Sequence, residues 1–149
     1  AMLTREGTDP VASFHRELGA VMVDRCGISR DAAGLRDGLN RVAALEKRFH
    51  AEVRVPGEAT GPNAELEKAL RVSDFFGLAQ LMLRDALARE ESCGAHFREE
   101  HQSPEGEARR DDANFAHIAA WEHNDHGEPI RHAETLQFTA LQPSTRSYK

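Results

Sequence analysis

A chain of 149 residues with 40% hydrophobic and 30% charged residues and a formal net charge of −6 has ordinary globular composition, and is long enough for one core without disulfides or metals. The 19 Lys+Arg against 25 Asp+Glu give no basic stripe of the kind a duplex-binding protein presents, so nucleic acid is not an expected partner. No stretch approaches the ~18 consecutive apolar residues of a membrane helix, and no basic-then-apolar leader is visible, so no direct membrane insertion is expected.

Ala1 ahead of Met2 reads as an expression remnant, which makes residues 1–7 remnant and linker and suggests a piece of a longer protein. Asp9 and Pro10 mark a helix start, Asp9 as cap and Pro10 at the first helical position. Val11, Phe14, Leu18 and Val21 follow on one stripe, and Gly27 is suited to a left-handed exit, so a first helix is predicted over Pro10–Arg25. Ser29 as cap, with Asp31 in the first turn, opens a second helix predicted over Ser29–Glu52, whose buried side is Leu35, Leu39, Val42 and Phe49. Pro56-Gly57 and Gly61-Pro62 break the pattern. Asn63 then caps a third helix predicted to run to Ser92. Its apolar positions, among them Leu70, Val72, Phe75, Phe76, Met82 and Leu83, cover more than half the circumference, so this helix is expected to be the most enclosed.

Residues 94–113 are polar and follow neither helical nor strand period. Phe115, Ile118 and Trp121 suit a strand, Asn124-Asp125-His126-Gly127 a turn, and Ile130–Phe138 a returning strand; Pro143–Lys149 is polar and expected to be extended. The fold expected is mainly α: an antiparallel three-helix bundle, spectrin-repeat-like, over residues 8–93, then an irregular segment and a short β-hairpin-like tail over 94–149.

Chemistry-bearing motifs are sparse. Cys26 and Cys93 are far apart and form no ligand pair, so free thiols and a reduced, cytoplasmic location are expected. His96 and His101, and His117, His123, His126 and His132, lie close in sequence without H-E-x-x-H or C-x-x-C spacing, and read as surface or hydrogen-bonded histidines; no metal site is assigned. No G-x-G-x-x-G, G-x-x-x-x-G-K-[ST] or G-x-S-x-G occurs, and no pair of acids is placed for acid–base work. Neither catalytic nor cofactor-binding residues are assigned. Glu90–Glu100, with Arg109-Arg110-Asp111-Asp112 after it, is the exception. Its mixture of arginines and acids in irregular backbone suits a segment docked on another surface, with a solvated loop as the competing reading.

The chain resembles the C-terminal region of the flavoprotein subunit of succinate dehydrogenase and fumarate reductase. The resemblance runs from His15-Arg16-Glu17-Leu18-Gly19 through Arg30 and Gly34-Leu35 to Arg146-Ser147-Tyr148-Lys149. It includes L-x-x-A-L-R-V-S-D-F-F-G-L-A-Q in the third helix. Its most specific parts are Glu91-Ser92-Cys93-Gly94-Ala95-His96-Phe97-Arg98-Glu99-Glu100, Arg110-Asp111-Asp112 with Asn114-Phe115, and Ala119-Ala120-Trp121-Glu122. Cys93 stands where the best-known branch has arginine, and the insert before Arg110 is longer, as in bacterial enzymes with a diheme membrane anchor. L-aspartate oxidase and the adenylylsulfate reductase flavoprotein have related regions.

The resemblance implies a full subunit that binds FAD covalently, interconverts succinate and fumarate by hydride transfer, and passes electrons to an iron–sulphur subunit and a membrane anchor on the cytoplasmic face of the inner membrane. The flavin and substrate residues of that family lie upstream, so this region is expected to be inactive alone and to pack on the flavin-binding domain. Cys93, Gly94, His96, Arg98, Glu99, Arg110, Asp111 and Asp112 are the candidate interdomain contacts. With its partners on the other domain, Arg98 is expected to matter little to the isolated chain. A free-standing helical interaction module is the alternative; an exposed apolar patch of several hundred Å² would argue against it.

Overall fold

The structure, a computed structural model, describes residues 2–4, 6–58 and 60–144. A 3-10 turn at Met2–Thr4 is followed by strand β1 (Asp9–Pro10), helix α1 (Val11–Cys26), strand β2 (Ser29–Arg30), helix α2 (Ala32–Glu52), strand β3 (Val53–Arg54) and helix α3 (Ala64–Ala88). Strand β4 (Phe97–Arg98), the single-turn helix α4 (Asp112–Phe115) and strands β5 (His117–Glu122) and β6 (Ile130–Thr135) complete the chain. The protein is mainly α, as the apolar periods predict.

Long-range pairs fix the helix directions. Glu17 pairs with Arg48 and Asp24 with Arg41, so α1 and α2 are antiparallel. Gln80 donates to Glu46 at 2.7 Å, and Gly38 lies against Leu83, so α2 and α3 are antiparallel as well. His15 stacks on Phe75 at 5.8 Å, on helices that run the same way. Two short parallel strand pairs tie the ends together. Asp9 pairs with Val53 where α1 begins and α2 ends, and Ser29 pairs with Phe97 where α2 begins and α3 has ended. The core is a column of rings, Phe14 edge-on to Phe49 at 5.3 Å and Phe49 against Phe76 at 5.4 Å, continued by Leu18, Val42 and Leu83.

The helix ends differ in detail from expectation, and long-range pairing is the reason. Asp9 does not cap α1: it is held in β1, and Pro10 occupies the cap position without a side-chain bond. Asp31, not Ser29, caps α2, accepting from the Gly34 amide at 2.8 Å, because Ser29 belongs to β2. Asn63 caps α3 as predicted, accepting from the Leu66 amide at 3.0 Å. Gly27 has φ −62° and makes no left-handed exit. Space is what it supplies there, since a Cβ would lie 2.7 Å from the Val23 carbonyl oxygen. α3 stops at Ala88 rather than Ser92, for a reason found in the residues that follow it.

Nor is α3 enclosed on most sides. Ala69, Val72, Phe76, Ala79, Leu83 and Ala86 are buried, but Leu70, Phe75, Leu78 and Met82 are not, with Leu78 55% and Met82 49% exposed. An apolar stripe therefore lies open beside α1, where His15, Leu18, Gly19 and Met22 complete a shallow groove. Where α2 crosses α3, Gly38 is buried and a Cβ there would sit 2.8 Å from Leu83 Cδ2 and 3.0 Å from Arg25 Cβ. Gly38→Ala is expected to cost about 1–3 kcal/mol by forcing the helices apart, measurable by urea denaturation. An unchanged midpoint would mean the crossing has slack.

β5 and β6 form the expected hairpin, with Ala120 opposite His132 and the turn at 124–127 closed by the His126 amide donating to Asn124 Oδ1 at 3.1 Å. β5 begins at His117 because Phe115 closes α4, and β6 ends at Thr135, short of Phe138. Trp121 Nε1 donates to Asp85 at 2.9 Å and Arg84 pairs with Glu128, so the hairpin lies along α3. Of the tail expected to be extended, residues 145–149 fall outside the described residues, as do the matching residues Arg146–Lys149. No helix among the described residues is long and apolar enough to cross a membrane.

Candidate interdomain docking surface

A helix leaves its last carbonyls without internal partners, and a cation near them is favoured by the helix dipole. At the end of α3 that cation is Arg98, 2% exposed. Its Nη1 donates to the carbonyls of Ala86, Leu87 and Arg89 at 2.9, 3.2 and 3.3 Å. This bond set replaces a further helical turn and ends α3 at Ala88. Arg98 Nε donates to Glu100 at 3.2 Å, and the other Glu100 oxygen accepts from the Ala32 amide at 2.6 Å, at the start of α2. One ion pair thus spans two helix ends, the cation at a C-terminus and the anion at an N-terminus. Partial burial pushes the Glu100 carboxyl upward, but the Ala32 amide and the Arg98 guanidinium outweigh it and hold it below the ordinary carboxylate range.

The residues between lock this arrangement. Ser92 is fully buried; its hydroxyl accepts from the Arg98 amide at 2.8 Å and donates to the Arg98 carbonyl at 3.1 Å. Glu91, 3% exposed, accepts from Arg89 at 2.6 Å and from the Asp111 amide at 2.9 Å. Arg89 also donates to the Phe115 and His117 carbonyls, both at 3.1 Å, which brings the approach to the hairpin against the end of α3. Cys93 and His96 exchange backbone hydrogen bonds in a tight turn, with Gly94 at φ +59° supplying the left-handed residue.

Residues 94–113 are therefore not a solvated loop. Residues 94–101 are docked on this chain's own bundle through β4 and Arg98, 102–108 fold back on themselves at the Gln102–Ala108 bridge, and Arg109 and Asp111 return to the end of α3 through the Ser92 amide and Glu91. The eight candidate contacts divide accordingly. Arg98 turns inward, and the partners expected on another domain are in this chain, so the expectation that the isolated chain hardly needs it is corrected. His96 is half-buried, its Nε2 donating to the Arg89 carbonyl at 2.9 Å. Cys93, Gly94, Glu99 and Asp112 face outward, Glu99 accepting from the Ser29 hydroxyl at 2.7 Å. Arg110 pairs with Asp112, which raises its pKa, and Asp111 caps α4 by accepting from the Asn114 amide. Arg110 and Asp111, with Glu90, Glu100, His101 and Arg109, line an open polar cleft of 660 Å³.

Arg89, Glu91, Ser92 and Glu100 carry these roles without being among the candidate contacts. The signal available was the demand itself: a long helix ending without a C-terminal glycine needs a nearby cation for its carbonyls. Among the described residues no three His, Cys, Asp or Glu side chains converge on a metal-sized site.

His96 makes the region sensitive to acid. Burial first, and then the guanidiniums of Arg30, Arg98 and Arg89, hold its pKa below the ordinary 6.5, against the hydrogen bond to the Arg89 carbonyl. The unfolded chain thus takes up this proton first as pH falls. The stability held by neutral His96 is complete above about pH 6.5 and declines below it. The Glu100 contribution is complete above about pH 4.5 and is lost as pH falls through its depressed value. The melting temperature is expected to drop between pH 7 and pH 5.5, and His96→Gln, which keeps a donor for Arg89, to flatten that part of the profile. An identical profile in the variant would place the acid sensitivity elsewhere.

Comparison with known proteins bears on what this surface serves. A family model described as "Fumarate reductase flavoprotein C-term" matches residues 15–148. A fumarate reductase flavoprotein subunit of a Serratia species is 31% identical over 147 residues, covering 99% of this chain and 24% of the relative. An L-aspartate oxidase of Ralstonia nicotianae is 38% identical over 85 residues, 57% of this chain and 14% of the relative. The structure superposes on the flavoprotein of an E. coli quinol fumarate reductase with a TM-score of 0.73 and 27% identity, covering 97% of this chain and 24% of that one. The chain spans about a quarter of the length of the fumarate reductase subunits it matches. Both the matched span and the shared helical architecture put this chain in the family of fumarate reductase flavoprotein C-terminal regions.

Proposed function

We propose that this chain is the packing domain of an FAD-dependent subunit that interconverts succinate and fumarate and passes electrons through an iron–sulphur partner toward quinone, on the cytoplasmic side of the membrane. The match over residues 15–148 to the C-terminal region of that family carries this reading. The described residues do not fit a flavin themselves. The N-terminus of α2 is filled by Asp31 and Glu100 and that of α3 by Asn63, and the uncapped start of α1 follows strand β1 with no glycine-rich loop before it to cradle a pyrophosphate. The flavin then belongs to the rest of the subunit. The contribution of this chain is a rigid surface: outward-facing Cys93, Gly94, Glu99 and Asp112 stand on a segment whose backbone is clamped between α2 and α3, and they contact the flavin-binding domain.

In the test, the full-length subunit is purified and assayed for bound flavin and for succinate-dependent dye reduction, and the 149-residue chain is mixed with FAD and gel-filtered. The full subunit is expected to be yellow and active, and the chain to elute colourless. Flavin retained by the chain alone, or a full subunit inert with succinate and fumarate, overturns the reading. The identity with an L-aspartate oxidase favours a second reading, in which the substrate is L-aspartate; the same assay with aspartate as donor decides between them.

A further inference from the structure

We propose that Arg30 is the anchor of the interface between this chain and the flavin-bearing remainder of its subunit, receiving a carboxylate from that remainder in the groove between α3, Arg30 and the hairpin. This deepens the packing role proposed above and rests on it. The buried and half-buried arginines show why Arg30 stands apart. Arg25, Arg48, Arg84, Arg89, Arg98 and Arg110 each reach a carboxylate of this chain. Arg131 donates to the His117 ring at 2.7 Å. Arg30 has no carboxylate partner among the described residues. Its Nη atoms make only long contacts, 3.9 Å to Cys26 Sγ and 3.4 Å to the Ala95 carbonyl, and its buried Nε, like those of Arg25, Arg48, Arg84 and Arg131, has no acceptor. A half-buried guanidinium whose fork makes only long contacts matches a carboxylate geometrically as well as electrically.

The groove around it, 520 Å³, has apolar walls from Leu78, Met82 and Trp121. Its other charged members are already engaged. Asp85 accepts from Trp121 at 2.9 Å, Arg89 pairs with Glu91, and His96 donates to a carbonyl. Asp31, next in sequence to Arg30, is committed to the cap of α2. Of the guanidiniums around the groove, Arg89 is matched by Glu91 and buried Arg98 by Glu100, which leaves that of Arg30 without a paired carboxylate. The apolar stripe of Phe75, Leu78 and Met82 continues from this groove along α1. The complementary occupant is an acidic side chain flanked by apolar ones. Chain of that kind has room to exist, since the curated fumarate reductase subunits carry most of their length outside the matched region. A second copy is the poorer candidate, because each chain carries a net charge of −6.

The test uses the full-length subunit carrying Arg30→Lys, treated with a water-soluble carbodiimide. The reagent activates a carboxylate, the amine placed at position 30 attacks it, an amide bond forms, and the reagent leaves as its urea. A cross-linked peptide joining position 30 to an Asp or Glu upstream of this chain, within one polypeptide, is expected. Cross-links only to Asp85, Glu99 or other acids of this chain, cross-linked dimers, or no cross-link at position 30 overturn the proposal. Should that variant fold poorly, Arg30→Gln in the full subunit is expected to speed amide exchange over residues 78–86 by about 10-fold or more, the loss that follows when a buried charge loses its partner; unchanged exchange overturns it too. Flavin content and succinate oxidation of the wild-type subunit are read separately, so failure of the functional reading shows itself independently of the cross-link.

Discussion

Arg98→Ala is expected to destabilise the 149-residue chain on its own by about 2–5 kcal/mol, because it strips charged hydrogen bonds from buried groups. The Ala86 and Leu87 carbonyls lose their Arg98 donor, the Arg89 carbonyl is left with His96, Glu100 loses its cation, and a cavity opens beside fully buried Ser92. For a chain of this size the loss corresponds to a melting temperature lower by roughly 5–15 °C. Arg98→Lys is expected to recover part of it, since an ammonium can serve the carbonyls or Glu100 but not both in the same geometry. Urea denaturation of the isolated chain is the measurement. A loss under about 1 kcal/mol would describe a solvated arginine and contradict the clamp.

Phe76→Ala is expected to cost about 3–5 kcal/mol and Leu83→Ala about 2–5 kcal/mol. Both side chains are fully buried, Phe76 against the Phe49 ring and Leu83 at the crossing beside Gly38. The two sites lie two turns apart on α3, so the double variant tests whether their losses add. By contrast, Leu78→Ala on the same helix is expected to leave the isolated chain within about 0.5 kcal/mol of wild type, because its side chain faces out of the bundle.

What could be read from the sequence was whatever neighbours along the chain decide. The period of Val11, Phe14, Leu18 and Val21 is a property of one helix, and the side chains are buried as that period implies. Asn63 caps α3 because the donor it satisfies is three residues away. Ser29 is the cap expected from local chemistry, but Phe97, far along the chain, draws it into β2 and leaves the start of α2 to Asp31. The open stripe at Phe75, Leu78 and Met82 follows the same logic: apolar character is visible in sequence, but the absence of a covering helix among the described residues is not. The segment 91–100 stood out by its residues, whereas its inward direction required knowing that α3 stops at Ala88 and leaves carbonyls within reach of Arg98.

The two parallel strand pairs at opposite ends of the bundle also govern how the chain reaches its native state. Helical bundles ordinarily fold fast because their contacts are local. Here Asp9 must find Val53 and Ser29 must find Phe97, so each closure joins segments separated by two entire helices. The entropy of those closures is met before their bonds reward it, which raises the contact order and slows the final step. Once made, the second pair joins the start of α2 to the segment that terminates α3, so neither of those ends can fray without breaking the other's bonds. Unfolding is thereby coupled across the molecule, and a chain shortened before Phe97 would lose the terminator of one helix and the anchoring of another together.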